Sequence, residues 1–483
     1  MKKFVCLLLT AFLAATCFSA LAACGKKDPA SSKGGANTLR ICNWEDYISE
    51  DETGKTLVEE FEEWYEAETG VDIKVEYSTF GTNEILYNNL KINPGIYDLV
   101  CPSDYMIQKM MSENMLETFG DLTEDVPNYA EYGSPYMKEL FSANGWAEYA
   151  VPYMWGTMGF VYNPEKVSFA EASTWAAATN EKFKNKTTLK DSVRDTYFLG
   201  VGLAQIEELN AKSDLYYKND GELSLEDYQK FLRDTFNDTT EETVKKVEGL
   251  LKKARANAFS LEVDEGKNDM ATGKVWLNFA WSGDAVYAMD EAEESDTVLC
   301  YAVPKEGSNI WYDGWVMPKG ANKQLAAAFV NFVSAPENAC KNMDFIGYTS
   351  AIAGEEVYER IKDSDYACER GDEGAEAIDL TYFFGEINGS PAIVYCNEPN
   401  RQLLAQYPSE DITARCTIME YFPDDDNERI NAMWNRVKAG NVWLYVIIIS
   451  AVVVVAAIAV VLVILAKKGV FDKKVKKGFT KVN

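Results

Sequence analysis

The chain has 483 residues, with 47 basic and 76 acidic side chains and a formal net charge of −29 at pH 7. Its length allows two globular domains with full cores, and its negative field repels nucleic acid and attracts cations. Because the sequence contains no histidine, Ser-His-Asp and Cys-His catalysis and most zinc sites are excluded.

The first 23 residues have the layout of a secretory signal peptide: Lys2 and Lys3, then a short apolar stretch. The stretch ends in Leu21-Ala22-Ala23-Cys24, which is typical of a bacterial lipobox with an acylated cysteine. An ordinary signal cleaved nearby is the alternative. With the lipobox interpretation, residues 24–37 are a lipidated Cys24 followed by a flexible tether rich in Gly, Ser and Lys.

Strand and helix patterns alternate after the tether. We predict strands at 38–42, 71–77 and 97–102, and helices at 54–69 and 83–91. This order is typical of a parallel α/β sheet. Ligands bind outside the carboxyl ends of the strands in such sheets, which is where Trp44 and Ser103 fall.

A second α/β unit follows residue 156. It is predicted to contain strands at 158–162 and 275–280 and a helical region at 223–255. Strands predicted at 299–303 and 315–317 lead back toward the first unit, and helices are predicted at 324–333 and 428–438. Residues 351–421 are acidic and rich in turns, and their pattern assigns no element. Cys42, Cys101 and Cys300 lie in apolar runs typical of buried thiols. A single disulfide among Cys368, Cys396 and Cys416 is left open.

Residues 442–466 are apolar apart from Ser450, and at about 1.5 Å per residue they are long enough for a roughly 30 Å hydrocarbon layer. Seven lysines follow in residues 467–483, so the positive-inside rule predicts a transmembrane helix with a cytoplasmic tail. A buried core helix is the alternative, although such helices rarely lack a polar face.

Aromatic residues stand beside carboxylates after several predicted strands: Asn43-Trp44-Glu45-Asp46-Tyr47, Ser103-Asp104-Tyr105 and Trp311-Tyr312-Asp313, with Trp281 ending a further strand. An aromatic face attracts a cation, and a carboxylate supplies the matching charge and hydrogen-bond acceptors. Together they indicate a pocket for an elongated organic cation.

Eight motifs in order resemble the spermidine/putrescine-binding proteins of bacterial ABC importers. They are NWEDYI (43–48), STFGTNE (78–84), YDLVCPSDY (97–105), VPYMWGTMGFVYN (151–163), DSVRD (191–195), AWSGDAV (280–286), WYDGWVMP (311–318) and IGYTS (346–350). The resemblance covers roughly residues 38–352, and a looser match extends to about residue 440.

The resemblance implies a two-lobed type II periplasmic-binding-protein fold, α/β in class, whose cleft closes on the ligand by hinge motion. Lobe one is expected at 38–156 and 311–356, and lobe two at 157–310 and 357–435. The ligand contacts that it implies are Trp44, Glu45, Asp46, Tyr47, Ser103, Tyr105, Asp191, Asp195, Trp281, Trp311, Asp313 and Tyr348.

The chain departs from the family pattern at a few of these positions. Glu45 stands where the family usually has Thr or Ser, and Ser192 aligns with an acidic residue of the second lobe. An apolar residue near Val263 aligns with a serine, and a late glutamine contact has no match in residues 416–422. These changes bear on the preferred polyamine length more than on the ligand class.

The expected function is capture of putrescine or spermidine outside the cytoplasm and delivery to an ABC permease. The expected protein is a monomeric membrane-anchored binding protein and not an enzyme, without a metal or cofactor and without a nucleic-acid partner. A membrane-tethered sensor for another cationic or amine-bearing solute is the alternative. A hydrolase with paired carboxylates is disfavoured because no hydrolase motif is present.

Overall fold

The computed structural model describes residues 35–218, 223–398, 400–439, 450, 455 and 458–460. Fourteen strands are found among these residues. In chain order they are β1 (Thr38–Trp44), β2 (Lys74–Phe80), β3 (Leu99–Val100), β4 (Leu116–Glu117), β5 (Ala150–Tyr162), β6 (Thr187–Lys190), β7 (Ser260–Glu262), β8 (Leu277–Trp281), β9 (Cys300–Ala302), β10 (Ser308–Pro318), β11 (Thr349–Ser350), β12 (Glu376–Asp379), β13 (Ile393–Cys396) and β14 (Cys416–Thr417).

The helices of the described residues are numbered separately. They are α1 (Leu57–Thr69), α2 (Asn83–Ile92), α3 (Asp104–Ser112), α4 (Leu122–Asp125), α5 (Pro127–Tyr132), α6 (Pro135–Ala143), α7 (Phe169–Ala172), α8 (Val193–Ala204), α9 (Ile206–Tyr217), α10 (Leu225–Phe236), α11 (Glu241–Asn257), α12 (Glu265–Ala271), α13 (Ser282–Glu293), α14 (Lys323–Val333), α15 (Pro336–Ile346), α16 (Glu355–Lys362), α17 (Thr381–Phe384), α18 (Gln402–Gln406), α19 (Glu410–Ala414) and α20 (Asp424–Ala439), with two 3₁₀ turns at Trp175–Thr179 and Glu181–Phe183.

The main sheet has the order β2-β1-β3-β10-β5-β8-β6-β7. Strands β2, β1 and β3 are parallel and form a first half-sheet, and β8, β6 and β7 are parallel and form a second half-sheet. The long strands β10 and β5 pair antiparallel with each other and join the two half-sheets. Two parallel units linked by long central strands bring the carboxyl ends of both half-sheets to one cleft.

Helix α1 illustrates why the sequence folds in this way. Thr56 and Glu59 form a capping box at its start, and Gly70 ends it in the left-handed conformation with φ 72°. The apolar side of α1 packs on α14: the ring of Phe61 lies 5.1 Å from Phe329 and 5.6 Å from Phe332, centroid to centroid. This aromatic cluster fixes two helices against the first half-sheet.

The predicted elements are largely present, with longer central strands. The strand predicted at 158–162 is the end of β5, which begins at Ala150 and is buried along its whole length. The strand predicted at 315–317 is likewise part of β10. The unassigned segment 351–421 contains short helices and the two-stranded antiparallel sheet of β12 and β13.

The expected transmembrane helix is corrected by the structure. Within the part of the chain that the structure describes, no helix is both long and apolar enough to cross a bilayer. The membrane helix in the expected fold, and the single C-terminal span in the expected localisation, are therefore not retained. The prediction rested on the apolar length of residues 442–466 and on the lysines that follow them, and most of these residues lie outside the described part of the chain. The last long described helix, α20, is mostly polar and carries acids in its first turn.

Other terminal predictions fall where nothing is described. The signal peptide at 1–23, the lipidated Cys24 and the basic tail at 467–483 lie outside the described residues, as does most of the tether. The seven cysteines from Cys42 to Cys416 are all free thiols. Cys42 and Cys101 are buried as predicted, whereas Cys300 is half-buried. The lobe boundaries stay a prediction.

Replacing Phe61 tests the packing of α1 on α14. Because Phe61 is fully buried, Phe61→Ala is expected to lower the free energy of unfolding by about 3–5 kcal/mol. Urea unfolding followed by circular dichroism measures the change. The exposed Glu68 on the same helix offers the control, and Glu68→Ala is expected to stay within about 0.5 kcal/mol. Equal effects of the two substitutions would contradict this account of the core.

Candidate functional site

The site is built on the central strand β10. Asp313 lies in β10 next to a register shift against β5, between Asp313 and Gly314. An isolated antiparallel bridge joins Asp313 to Ser103, which follows β3. The irregularity interrupts the regular pairing and places the Asp313 side chain at the carboxyl ends of the first half-sheet.

Asp313 is a buried carboxyl group with incomplete hydrogen bonding. Its Oδ2 accepts a 2.8 Å hydrogen bond from the Tyr47 hydroxyl, whereas Oδ1 is buried without a partner among the described residues. Burial raises the pKa of Asp313 to about 7, although the nearby Ser103 hydroxyl and the Tyr47 hydrogen bond oppose the rise, and the Asp195 charge adds to it. A buried, half-satisfied acid is costly unless a cation pairs with it.

Aromatic rings enclose this acid. The ring of Tyr348 lies edge-on to Tyr47 at 5.6 Å and 5.4 Å from Trp311, centroid to centroid. Tyr348 packs so closely on Gly283 that a Cβ atom there would lie 0.9 Å from its Cδ1. The indole Nε1 of Trp311 is buried without a partner in the described structure. The rings form an apolar wall beside Asp313, and the Trp311 indole nitrogen is a polar atom of this wall without a partner in the described structure.

The second half-sheet contributes Asp195 and Trp281. Asp195 lies in the first turn of α8, where the helix dipole favours a negative charge, and its main-chain N–H faces the N-cap hydroxyl of Ser192. Burial raises the pKa of Asp195, although Ser192, Lys190, Arg194 and the Trp281 indole oppose the rise. Two acids from opposite half-sheets, Asp195 and Asp313, are therefore close enough to repel each other.

A third buried acid, Asp104, begins helix α3. Its Oδ1 accepts a 2.6 Å hydrogen bond from the Tyr105 main-chain N–H, and its buried Oδ2 has no partner among the described residues. Burial raises the pKa of Asp104 well above its ordinary value, and Asp313 adds to that rise. The first half-sheet thus brings two incompletely paired carboxyl groups to the cleft.

Ser103 and Tyr105 share one hydrogen-bonding partner. The Asn83 amide donates to the hydroxyls of both residues, at 3.0 and 3.1 Å, and the Tyr105 hydroxyl donates to Glu84 at 3.2 Å. The Arg194 guanidinium from α8 lies 4.4 Å from the centre of the Tyr105 ring. This cation–π contact joins the two sides of the cleft.

Lys190 lies at the end of β6 and is buried. Its ammonium lies 2.8 Å from Asp284, 3.7 Å from Glu262 and 4.1 Å from the centre of the Trp281 ring. It also donates a 2.5 Å hydrogen bond to the Val263 carbonyl oxygen. The second oxygen of Asp284 accepts a 3.0 Å hydrogen bond from Tyr348, so this cluster also reaches across the cleft.

Some expected contact residues lie apart from this cluster. Glu45 and Asp46 are exposed, and Asp46 has a left-handed φ of 52° that ends β1 in a turn. Asp191 lies 3.0 Å from the Lys438 ammonium of α20. Trp44 is half-buried and packs 4.4 Å from Phe80, and its buried indole nitrogen has no described partner. Tyr47, Ser103, Tyr105, Asp195, Trp281, Trp311, Asp313 and Tyr348 are brought together by the contacts above.

The expected ligand contacts omitted four charged residues of the site: Asp104, Lys190, Arg194 and Asp284. Of these, only Asp104 stood in one of the aromatic–carboxylate fragments, beside Tyr105. Three of them lie inside quoted motifs, and Lys190 directly precedes one. A lysine that ends an otherwise apolar strand, Thr187–Lys190, was the available signal. A buried lysine requires a carboxylate partner, and the sequence shows neither the burial nor the partner.

A separate cavity of about 490 Å³ lies between α1, α14 and the turn near Gly120. Its lining includes Trp64, Phe119 and Asn331. None of the buried acids of the cleft lines it. The charged and aromatic chemistry is therefore in the cleft, where the two half-sheets have closed upon each other.

The fold and this cleft define a solute-binding protein. Residues 56–363 match the family described as bacterial extracellular solute-binding protein. Because the match covers more than half of the sequence, the chain belongs to that family. The expectation of a non-enzymatic role agrees with the binding role of this family.

Known proteins add detail to the assignment. The chain is 28% identical over 314 residues to the spermidine/putrescine-binding periplasmic protein of Escherichia coli, covering 65% of this chain and 77% of that protein. A candidate spermidine/putrescine ABC transporter structure from Listeria monocytogenes is 27% identical, covers 83% of this chain and 99% of the other, and has a TM-score of 0.59.

A third match is the spermidine/putrescine ABC transporter substrate-binding protein PotD of Streptococcus pneumoniae. It is 25% identical, with 83% and 98% coverage of this chain and that one and a TM-score of 0.55. The resemblance inferred from the eight motifs is confirmed by these matches. The two-lobed α/β periplasmic-binding fold is confirmed with it.

The raised pKa of Asp313 predicts a pH-dependent stability. In the ligand-free protein the folded state holds the proton up to about pH 7, whereas an unfolded Asp releases it near pH 4. The contribution of Asp313 to the free energy of unfolding is therefore fully present below about pH 4 and is lost as the pH rises through about 7. The loss is on the order of 4 kcal/mol.

Denaturant unfolding at several pH values from 4 to 8 measures this loss. Asp313→Asn is expected to remove it, so the variant gains stability relative to wild type as the pH rises. The exposed Asp72 provides the matched control, and Asp72→Asn is expected to follow the wild-type curve. A wild-type curve parallel to that of Asp313→Asn would contradict the assignment.

Proposed function

We propose that this protein captures polyamines such as putrescine and spermidine and delivers them to an ABC transporter permease. The observation that carries the proposal is a set of three buried acids beside aromatic rings, Asp104, Asp195 and Asp313, of which Asp104 and Asp313 each have one oxygen without a partner among the described residues. An aliphatic chain with an ammonium group at each end matches this arrangement.

The acids and rings divide the recognition between them. Ammonium groups donate charged hydrogen bonds to carboxylates, and each such bond contributes about 1.5–3 kcal/mol. Trp311, Tyr348 and Tyr47 pack against methylene groups and exclude water. Because acids stand on both sides of the cleft, a diamine links the two half-sheets, which a point cation such as Na⁺ cannot do.

Similar proteins support the same ligand class. The names of the Escherichia coli relative and of the Streptococcus pneumoniae protein both include spermidine and putrescine. The contact residues proposed on this chain are those that the cleft brings together, with Asp313 as the central acid. Trp44, Glu45, Asp46 and Asp191 remain predictions of the resemblance.

Calorimetric titration of the purified protein tests the proposal directly. Putrescine or spermidine is expected to bind saturably with micromolar affinity or better, close to about −8 kcal/mol. Quenching or enhancement of tryptophan fluorescence gives a second readout because Trp281 and Trp311 lie in the site. No saturable signal with either amine at millimolar concentration would refute polyamine binding.

Asp313→Asn tests the central acid. Because it removes the charge that pairs with an amine, the affinity is expected to fall by more than about tenfold. Asp72→Asn makes the same chemical change at an exposed position just before the start of β2, whereas the site lies at the carboxyl ends of the strands. It is expected to leave the affinity unchanged. Unchanged affinity in Asp313→Asn would remove this residue from the site.

A further inference from the structure

Lys190 places a positive charge in a cleft that is proposed to bind a positively charged ligand. A protein ammonium group already lies 4.1 Å from the centre of the Trp281 ring and 2.8 Å from a carboxylate oxygen of Asp284. An aromatic face beside a carboxylate is the arrangement that attracts a ligand amine elsewhere in the same cleft. Lys190 therefore occupies a place with the chemistry of an amine subsite.

The position of Lys190 is fixed on several sides. The side chain is 1% exposed, and the ammonium contacts Asp284, Glu262 and the Val263 carbonyl oxygen. Burial lowers its pKa, but the charges of Asp284 and Glu262 outweigh this and raise the pKa above its ordinary value. The group thus stays charged, and it cannot leave without stranding two buried carboxylates.

Asp284 connects this cation to the ligand cleft. One oxygen accepts from Lys190 and the other accepts from the Tyr348 hydroxyl. Tyr348 in turn contacts Trp311 and Tyr47, and Tyr47 donates to Asp313. Lys190 is therefore at one end of a chain of contacts that ends at the central acid.

We propose that Lys190 is a built-in cation that occupies one amine subsite and restricts the cleft to ligands of diamine length. Three buried acids of the cleft form no salt bridge with a protein cation among the described residues, Asp104, Asp195 and Asp313, and of these Asp313 and its neighbour Asp195 serve the two amines of putrescine. A third amine of spermidine, extended toward Trp281, would meet the Lys190 ammonium, and like charges repel in a medium of low dielectric. This proposal rests on the proposed polyamine-binding function and adds the ligand length to it.

The first measurement uses the wild-type protein. Calorimetry with putrescine and spermidine is expected to give at least about tenfold tighter binding of putrescine, roughly the effect of one charged hydrogen bond. Spermidine binding that equals or exceeds putrescine binding would overturn the role of Lys190 and leave polyamine binding intact. No binding of either amine would instead refute the proposed function.

Three variants then locate the effect. Lys190→Met keeps the apolar stem and removes the cation, and it is expected to shift the affinity ratio toward spermidine by at least about tenfold. Lys190→Arg keeps the charge and is expected to keep the wild-type ratio. Lys274→Met is the matched control, since Lys274 also pairs with an acid, Asp269, and lies 4.8 Å from a ring centre, that of Phe259.

The variants also separate specificity from folding. Thermal unfolding and circular dichroism report whether Lys190→Met is folded. A folded Lys190→Met with the wild-type ratio would overturn the proposal. If this variant does not fold, the wild-type ratio and Lys190→Arg decide, because loss of the putrescine preference in a variant that keeps the charge would equally overturn it.

Discussion

The cleft is governed by the cost of burying carboxyl groups away from water. Asp104, Asp195 and Asp313 are each less than a tenth exposed, and two of them have an oxygen without a hydrogen-bond partner among the described residues. Burial is the largest cause of the raised pKa of all three. A closed cleft is therefore most favourable when a cation lies within it, so that closure and ligand binding are thermodynamically coupled.

Three side-chain contacts join the two sides of the cleft. Tyr348 donates to Asp284, Arg194 lies over Tyr105, and Lys109 of α3 pairs with Asp424 of α20. Each contact joins the side of the first half-sheet to the side of the second. The long strands β5 and β10 run through both sides, so they are the elements on which a hinge motion would turn.

The sequence reveals the parts of this architecture that depend on local pattern. Strand β1 and helices α1 and α14 follow from periodicity and capping residues, and the position of Asp313 follows from its motif. Burial and partnership depend on the tertiary fold. Glu45 and Asp46, beside Trp44, proved to be exposed, whereas Lys190 proved to be buried. The membrane helix was expected from apolar length, whereas no helix of the described residues is long and apolar enough to cross a bilayer.

Two protein cations, Arg194 and Lys190, distinguish the acids of the cleft that pair within the protein from those that are left to bind a ligand. Arg194 lies on Tyr105 and joins the two sides, while Lys190 neutralises Asp284 and Glu262 on one side. Both cations lower the charge that a ligand must supply, and each occupies an aromatic face that would otherwise attract an amine. The ligand's charge and length are thus determined by which acids the chain leaves without a cation of its own, and Asp313 is the clearest of these.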